Sequence, residues 1–185
     1  MNEQPPDNPP SPFIAGWVRR AAGAHPGGRA LDVATGRGRH ALALAHAGFH
    51  TTGIDIRVDA LQAARTRALA EGVSLALVCA DLEIFPLPLS RFDVVVVSRY
   101  LDRVRFRHFI EALVPGGILI VETFTEHQLR HARGPRSPAH LLKPGELRML
   151  TRGVDVLFDE EVTGPDALAR IAARRPLSRR SSAAA

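Results

Sequence analysis

The run Ala-Leu-Asp-Val-Ala-Thr-Gly-Arg-Gly-Arg-His at 30–40 constrains this chain of 185 residues more than any other segment. Residues 30–33 are apolar except for Asp32 and read as a buried strand. Gly36 and Gly38 have no β-carbon, so the backbone can take positive φ and a bulky group can approach it closely. A helix start follows, offering unpaired N–H groups and the positive end of its dipole. Strand, glycine turn and helix together open a sheet whose ligands bind at the carboxyl ends of its strands. Asp32 lies under the turn, where a carboxylate repels a pyrophosphate but suits a cation or an ammonium group.

The surrounding pattern extends this unit. Ser11 and Pro12 read as an N-cap and first helical residue. The helix they open carries Phe13, Ile14, Trp17 and Val18 on one face and reaches Gly23. After the glycine loop, a helix stops at Gly48, a strand covers 49–54, and a helix through Leu61, Ala64 and Leu69 ends at Gly72. Strands follow at 74–80 and 92–97. The second of these holds four consecutive valines, as expected of a parallel strand covered on both faces. A short helix at 106–113, a turn at Pro115-Gly116-Gly117 and a strand at 118–122 complete the alternation. Strands alternating with helices predict an α/β fold, doubly wound around a mainly parallel sheet. Residues 154–162 read as one more strand. Residues 166–175 are alanine-rich and by pattern alone read as a helix capped by Asp166.

Composition narrows the setting. The length suits one domain, expected over 12–176, with 1–11 and 177–185 as disordered ends. No apolar run approaches a membrane span, and the N-terminus lacks a basic-then-apolar leader. Cys79 is the only cysteine, so no intrachain disulfide forms, and its place in a strand predicts a core residue. These features point to the cytoplasm. The sequence pI of 10.8 invites a nucleic-acid reading. However, Lys143 is the only lysine, the net charge is only +5, and the arginines form no stripe with interleaved aromatics. No nucleic-acid partner is expected.

Two further acids close strands. Asp55 follows the second strand about 20 residues after the glycine loop, where an acid accepts hydrogen bonds from ribose hydroxyls. Nicotinamide-dependent enzymes share that feature, and Gly36-x-Gly38-x-x-Ala41 fits the loose dinucleotide fingerprint. Asp55 as a simple cap on the next helix is the plainer alternative. Asp81 closes the third strand before a loop holding Pro86 and Pro88. Three acids at one mouth disfavour a pyrophosphate-bearing cofactor.

In order and spacing these blocks resemble the class I S-adenosylmethionine-dependent methyltransferases. Ser98-Arg-Tyr-Leu-Asp-Arg103, Glu122-Thr-Phe124, the run at 134–138 and the run at 141–147 resemble the small tellurite-resistance-like members, over residues 12–176. The resemblance implies a Rossmann-like, seven-stranded sheet in which 166–175 is the final strand, hairpinned through Gly164-Pro165. It implies S-adenosyl-L-methionine as cofactor, held by Asp32, Ala34, Gly36, Gly38, Asp55, Ile56, Asp81, Leu82 and Ser98. Ala34 stands where the family carries another glycine, a mild departure in size. The resemblance further implies direct methyl displacement onto a small nucleophile, with Tyr100 facing the sulfonium and Arg103 at the acceptor. The acceptor is expected between 98–103 and 125–143. Arg130, His131, Arg133 and Arg136 in the second segment favour an anionic molecule. His127 and His131 have the spacing of one helix face, but no third ligand is placed and no metal is expected. The helix near 143–147 should carry Pro144 in its first turn. Two other classes stay open: an NAD-dependent oxidoreductase, and a non-catalytic module binding S-adenosylmethionine or nucleic acid.

Overall fold

A computed structural model describes residues 9–177. Seven strands form one sheet in the order β3-β2-β1-β4-β5-β7-β6. The strands are β1 (Arg29–Val33), β2 (His50–Asp55), β3 (Leu75–Cys79), β4 (Phe92–Ser98), β5 (Leu113–Phe124), β6 (Asp155–Val162) and β7 (Leu168–Arg174). The first five are parallel, and β7 is antiparallel to both β5 and β6. Order reverses between β1 and β4, and the crevice of such a sheet opens at that switch point.

The helices are α1 (Pro12–Ala24), α2 (Arg39–His46), α3 (Val58–Ala70), α4 (Phe106–Ala112) and α5 (Glu146–Leu150). The valines of β4 show why both faces need cover. Val94 and Val96 join Ile14 and Val18 of α1 and Leu44 of α2 in one core. Val95 and Val97 join Phe106 and Phe109 of α4 and Leu147 of α5 in the other. Strict alternation thus sends every second residue to a different layer, and all four valines are fully buried. Among the described residues no helix is long and apolar enough to cross a membrane.

The end of the chain shows tertiary context overriding propensity. Residues 168–174 are β7, not a helix, because they complete the sheet between β5 and β6. β5 is longer than its apolar run predicts. It begins at Leu113, and a register irregularity opposite Phe92 and Val94 absorbs the proline and two glycines at 115–117. Ser11 does not cap α1 with its side chain, although Pro12 is the first helical residue as expected. Pro144 precedes α5 instead of entering its first turn; Gly145, left-handed at φ 73°, is the N-cap. His127 lies in a 3-10 turn over Glu126–Arg130 and His131 caps its end, so the two do not share a helix face. Cys79 is exposed, since β3 is an edge strand and residue 79 is its last.

Candidate functional site

The turn after β1 is held by the two carboxylates beside it. Asp32 is only 1% exposed, and its Oδ2 accepts from Thr35 Oγ1 at 2.6 Å and from the Ala41 N–H at 3.0 Å. Burial nonetheless pushes its carboxyl up to about 7, against the pull of those bonds and of Arg39. A buried acid in this condition is stabilised in its charged form by any cation placed against it. Asp55 accepts from the Gly36 N–H at 2.7 Å and from the Arg57 N–H at 2.9 Å, one bond to each oxygen. It therefore ties the glycine turn to the entry of α3. Helix capping and ligand contact are not exclusive for this residue, because each carboxylate oxygen has a second lone pair.

Small residues here have separate reasons. Gly36 takes φ 54°, with open space where a β-carbon would stand. At Gly38, φ 80°, a β-carbon would lie 2.8 Å from that of Ala64, so this glycine serves the packing of α2 on α3. Gly53 on β2 is bare because Thr35 lies over it; a β-carbon there would come within 2.9 Å of the threonine side chain. Ala34 corrects the expectation of a mild departure. Its φ is 52°, in the left-handed region that costs an L-residue roughly 1 kcal/mol. The difference from glycine is conformational strain, not size.

The remaining residues assigned by resemblance fall on the same edge of the sheet. Asp81 folds its own loop, its Oδ1 accepting from the Glu83 N–H at 2.9 Å. Leu82 turns its side chain into the core, whereas Ile56, next to Asp55, is exposed. Ser98 ends β4 and accepts from the Arg39 guanidinium at 3.3 Å.

Beyond the switch point, side chains replace backbone as the binding material. Glu122, buried in β5, accepts from Ser11 Oγ at 2.9 Å and from Arg170 Nε at 2.8 Å, both on Oε2. Arg170 also reaches Glu160 at 3.3 Å. The Ser11 N–H donates to His40 Nε2 at 3.2 Å. Burial, with Arg39 and Arg99 nearby, holds His40 down to about 3, so its ring is neutral and can accept. Arg99, at φ 53°, pairs with Asp166 at 2.9 Å and lies over the Phe124 ring at 5.3 Å. Of these, Ser11, Arg99, Glu122, Asp166 and Arg170, together with Arg39, Pro9, Pro10, Val162 and Leu168, line a cavity of about 460 Å³. None of Ser11, Arg39, His40, Asp166 or Arg170 was singled out from sequence as a site residue. The one available signal was Glu122 itself, a lone acid closing an apolar strand and so demanding a buried partner.

Arg103 and Arg136, expected at the acceptor, both engage their guanidinium groups with partners in the same chain. Arg103 forks onto Glu146 at 2.6 and 3.0 Å and donates to the carbonyls of Ala139 and Leu141. Arg136 donates to the carbonyls of His131 and Leu129. Gln128, almost fully buried, bonds the Arg133 carbonyl at 2.6 Å and the Ala167 N–H at 2.7 Å, locking the 125–143 loop to β7. Tyr100 packs edge-on against Phe109 at 6.3 Å, and burial pushes its hydroxyl up to about 12.

A family model described as a methyltransferase domain matches residues 30–117. The ubiquinone biosynthesis O-methyltransferase of Bordetella avium is 30% identical over 162 residues, covering 77% of this chain and 67% of that protein. The chain belongs to the S-adenosylmethionine-dependent methyltransferases. The counterpart from Bordetella bronchiseptica is also 30% identical, and the match spans 60% of its length. The fold is shared with the crystal structure of the [4+2]-cyclase SpnF (TM-score 0.73, 21% identity, 95% of this chain and 85% of that one). It is also shared with that of TehB from Haemophilus influenzae (TM-score 0.71, 18% identity, 86% and 62%).

The residues present fit the methyltransferase cofactor. The space over Gly36 leaves the backbone approachable, and the buried Asp32 carboxyl is in the state that an ammonium group would relieve. Asp55 keeps acceptor capacity while its backbone bonds hold it in place. Among the described residues, no three His, Cys, Asp or Glu side chains gather as a metal site.

Proposed function

We propose that residues 12–176 form one cytoplasmic methyltransferase domain acting on a small nucleophile. S-adenosylmethionine, when bound, would supply an activated methyl group for in-line attack by a lone pair of the acceptor, with the thioether S-adenosylhomocysteine leaving with the bond's electron pair. In this reading Asp32 holds the ammonium group, Asp55 the ribose hydroxyls, and Asp81 with the Leu82 N–H the adenine edge. Ala34, Gly36 and Gly38 shape the cradle, Ile56 covers the base, and Ser98 borders the reacting end. Tyr100 lies beside that border, and Arg103 is a positioning residue that clamps the 138–146 segment. Positioning and exclusion of water supply the acceleration, since an activated donor asks little acid–base chemistry of the protein.

The observation that carries this reading is the pair of buried acids flanking an open, positive-φ glycine turn beside the switch point. An NAD-dependent reaction fits it poorly, because a pyrophosphate would face Asp32, Asp55 and Asp81 together. Isothermal calorimetry tests the choice. Micromolar binding of S-adenosylhomocysteine with much weaker NAD binding is expected; the reverse order would overturn the proposal.

A further inference from the structure

The cavity at the carboxyl ends of β4 and β5 is lined by Arg39 and Arg99 but by none of Asp32, Gly36, Asp55, Asp81 or Leu82. It is a chamber beside the cofactor turn, not part of it, and Arg39, bonded to Ser98, stands at the boundary. Its charges do not cancel locally. Glu122 is matched by Arg170 and Ser11, and Asp166 by Arg99. That leaves Arg39, from the first turn of α2, with a neutral hydroxyl at 3.3 Å as its hydrogen-bond acceptor. Desolvation and the neighbouring Arg99 guanidinium disfavour its charge, only partly offset by the carboxylates of Glu122, Asp32 and Asp166, none of which bonds it. The other surfaces are apolar: Pro9, Pro10, Pro12, Val162 and Leu168.

We infer that this chamber takes the methyl acceptor, and that the acceptor is a small organic acid. Its carboxylate lies between Arg39 and Arg99, and its apolar body lies against the prolines and the β6–β7 turn. The inference rests on the methyltransferase reading and adds the substrate class. A guanidinium pair recognises a planar carboxylate through charge-assisted hydrogen bonds that a neutral isostere cannot form. A volume of about 460 Å³ admits a ring with short substituents, not a folded partner. Anchoring the acid at the Arg39–Ser98 boundary would aim the rest of the molecule along the mouth where the methyl group is delivered.

The test uses the full chain saturated with S-adenosylhomocysteine, titrated by NMR with benzoate and with its neutral isostere benzamide. Benzoate should bind at least tenfold more tightly. Arg39→Gln and Arg99→Gln should each erase that preference while changing S-adenosylhomocysteine affinity less than twofold. Asp166→Asn removes the same ion pair as Arg99→Gln but keeps the cation, so it should tighten benzoate. If Asp166→Asn loses the preference as well, the pair merely shapes the loop and the inference fails. Equal binding of benzoate and benzamide to the wild-type complex would also overturn it, leaving the methyltransferase reading intact. Loss of S-adenosylhomocysteine affinity in Arg39→Gln, with 5′-methylthioadenosine affinity kept, would assign the arginine to the cofactor's own carboxylate instead. A wild-type protein that binds no S-adenosylhomocysteine would overturn the methyltransferase reading itself.

Discussion

The two halves of the crevice are built by different means. Over β1–β3, short turns fold around carboxylates that accept backbone N–H groups: Ala41 to Asp32, Gly36 and Arg57 to Asp55, Glu83 to Asp81. Over β4–β7, long side chains pair with one another: Arg99 with Asp166, Arg103 with Glu146, Arg170 with Glu122. Backbone-built sites are fixed by local sequence and tolerate few substitutions. Side-chain-built sites can be rewired one residue at a time.

The largest effect should come from the backbone-built half. Asp55→Ala is expected to weaken S-adenosylhomocysteine binding by about 2–3 kcal/mol, because charge-assisted bonds are lost. It should also lower the melting temperature of the free protein, since the Gly36 and Arg57 N–H groups lose their acceptor. Calorimetry and a melting curve check both; unchanged affinity would remove Asp55 from the ligand site.

Acidity should separate the halves next. Because an ammonium ligand favours ionised Asp32, binding below pH 7 must release a proton. Affinity for S-adenosylhomocysteine is expected to rise about tenfold per pH unit up to roughly 7 and level off above it, and to lose that slope in Asp32→Asn. Stability of the free protein follows the opposite sense for this group. Folded Asp32 holds its proton to about 7 instead of its usual 3.8, so its contribution falls as pH rises between those values. His40 does the reverse, gaining stability as pH rises from about 3 to 6.5. The two offset each other between about pH 4 and 6.5, and Asp32→Asn should expose a melting temperature that climbs with pH.

On the side-chain-built half, Arg103→Ala should cost about 1 kcal/mol of stability, the guanidinium being one-third exposed but forked and bonded to two carbonyls. S-adenosylhomocysteine affinity should hold while methyl transfer falls. Glu146→Gln should reproduce the loss, and a double-mutant cycle should show strong coupling; normal turnover in both would dismiss the clamp. The smallest effect is a gain. Ala34→Gly relieves a left-handed alanine and should raise stability by roughly 0.5–1 kcal/mol, readable as a shift in urea midpoint with unchanged slope.

The same contrast explains what could be read from the chain. Asp81 was legible as a strand-end acid whose bond closes within two residues, whereas Asp55, which accepts from the Gly36 N–H 19 residues away, was marked by its place at a strand end. The valines of β4 announced a doubly covered strand by their local pattern. Ser11, Arg39, Asp166 and Arg170 were not legible. Ser11 meets Glu122 across 111 residues and Arg170 meets it across 48, and no periodicity records such meetings. Arg103 was noticed for its place near the mouth, but its bond to Glu146, 43 residues away, left no local signal. Residues 166–175 show how composition misleads: alanine favours a helix, but the open side of β5 requires a strand.

The first and last described residues lie at opposite edges of the sheet, which matters for probing it. Pro9, Pro10 and Ser11 line the chamber at the carboxyl ends of the strands, whereas Leu177 lies against Gly116 near the start of β5. Bulky substitutions at Pro9 or Pro10 would narrow the chamber and compete with whatever enters. A spectroscopic label at position 177 would stand at the far edge and report on the fold without touching the chamber.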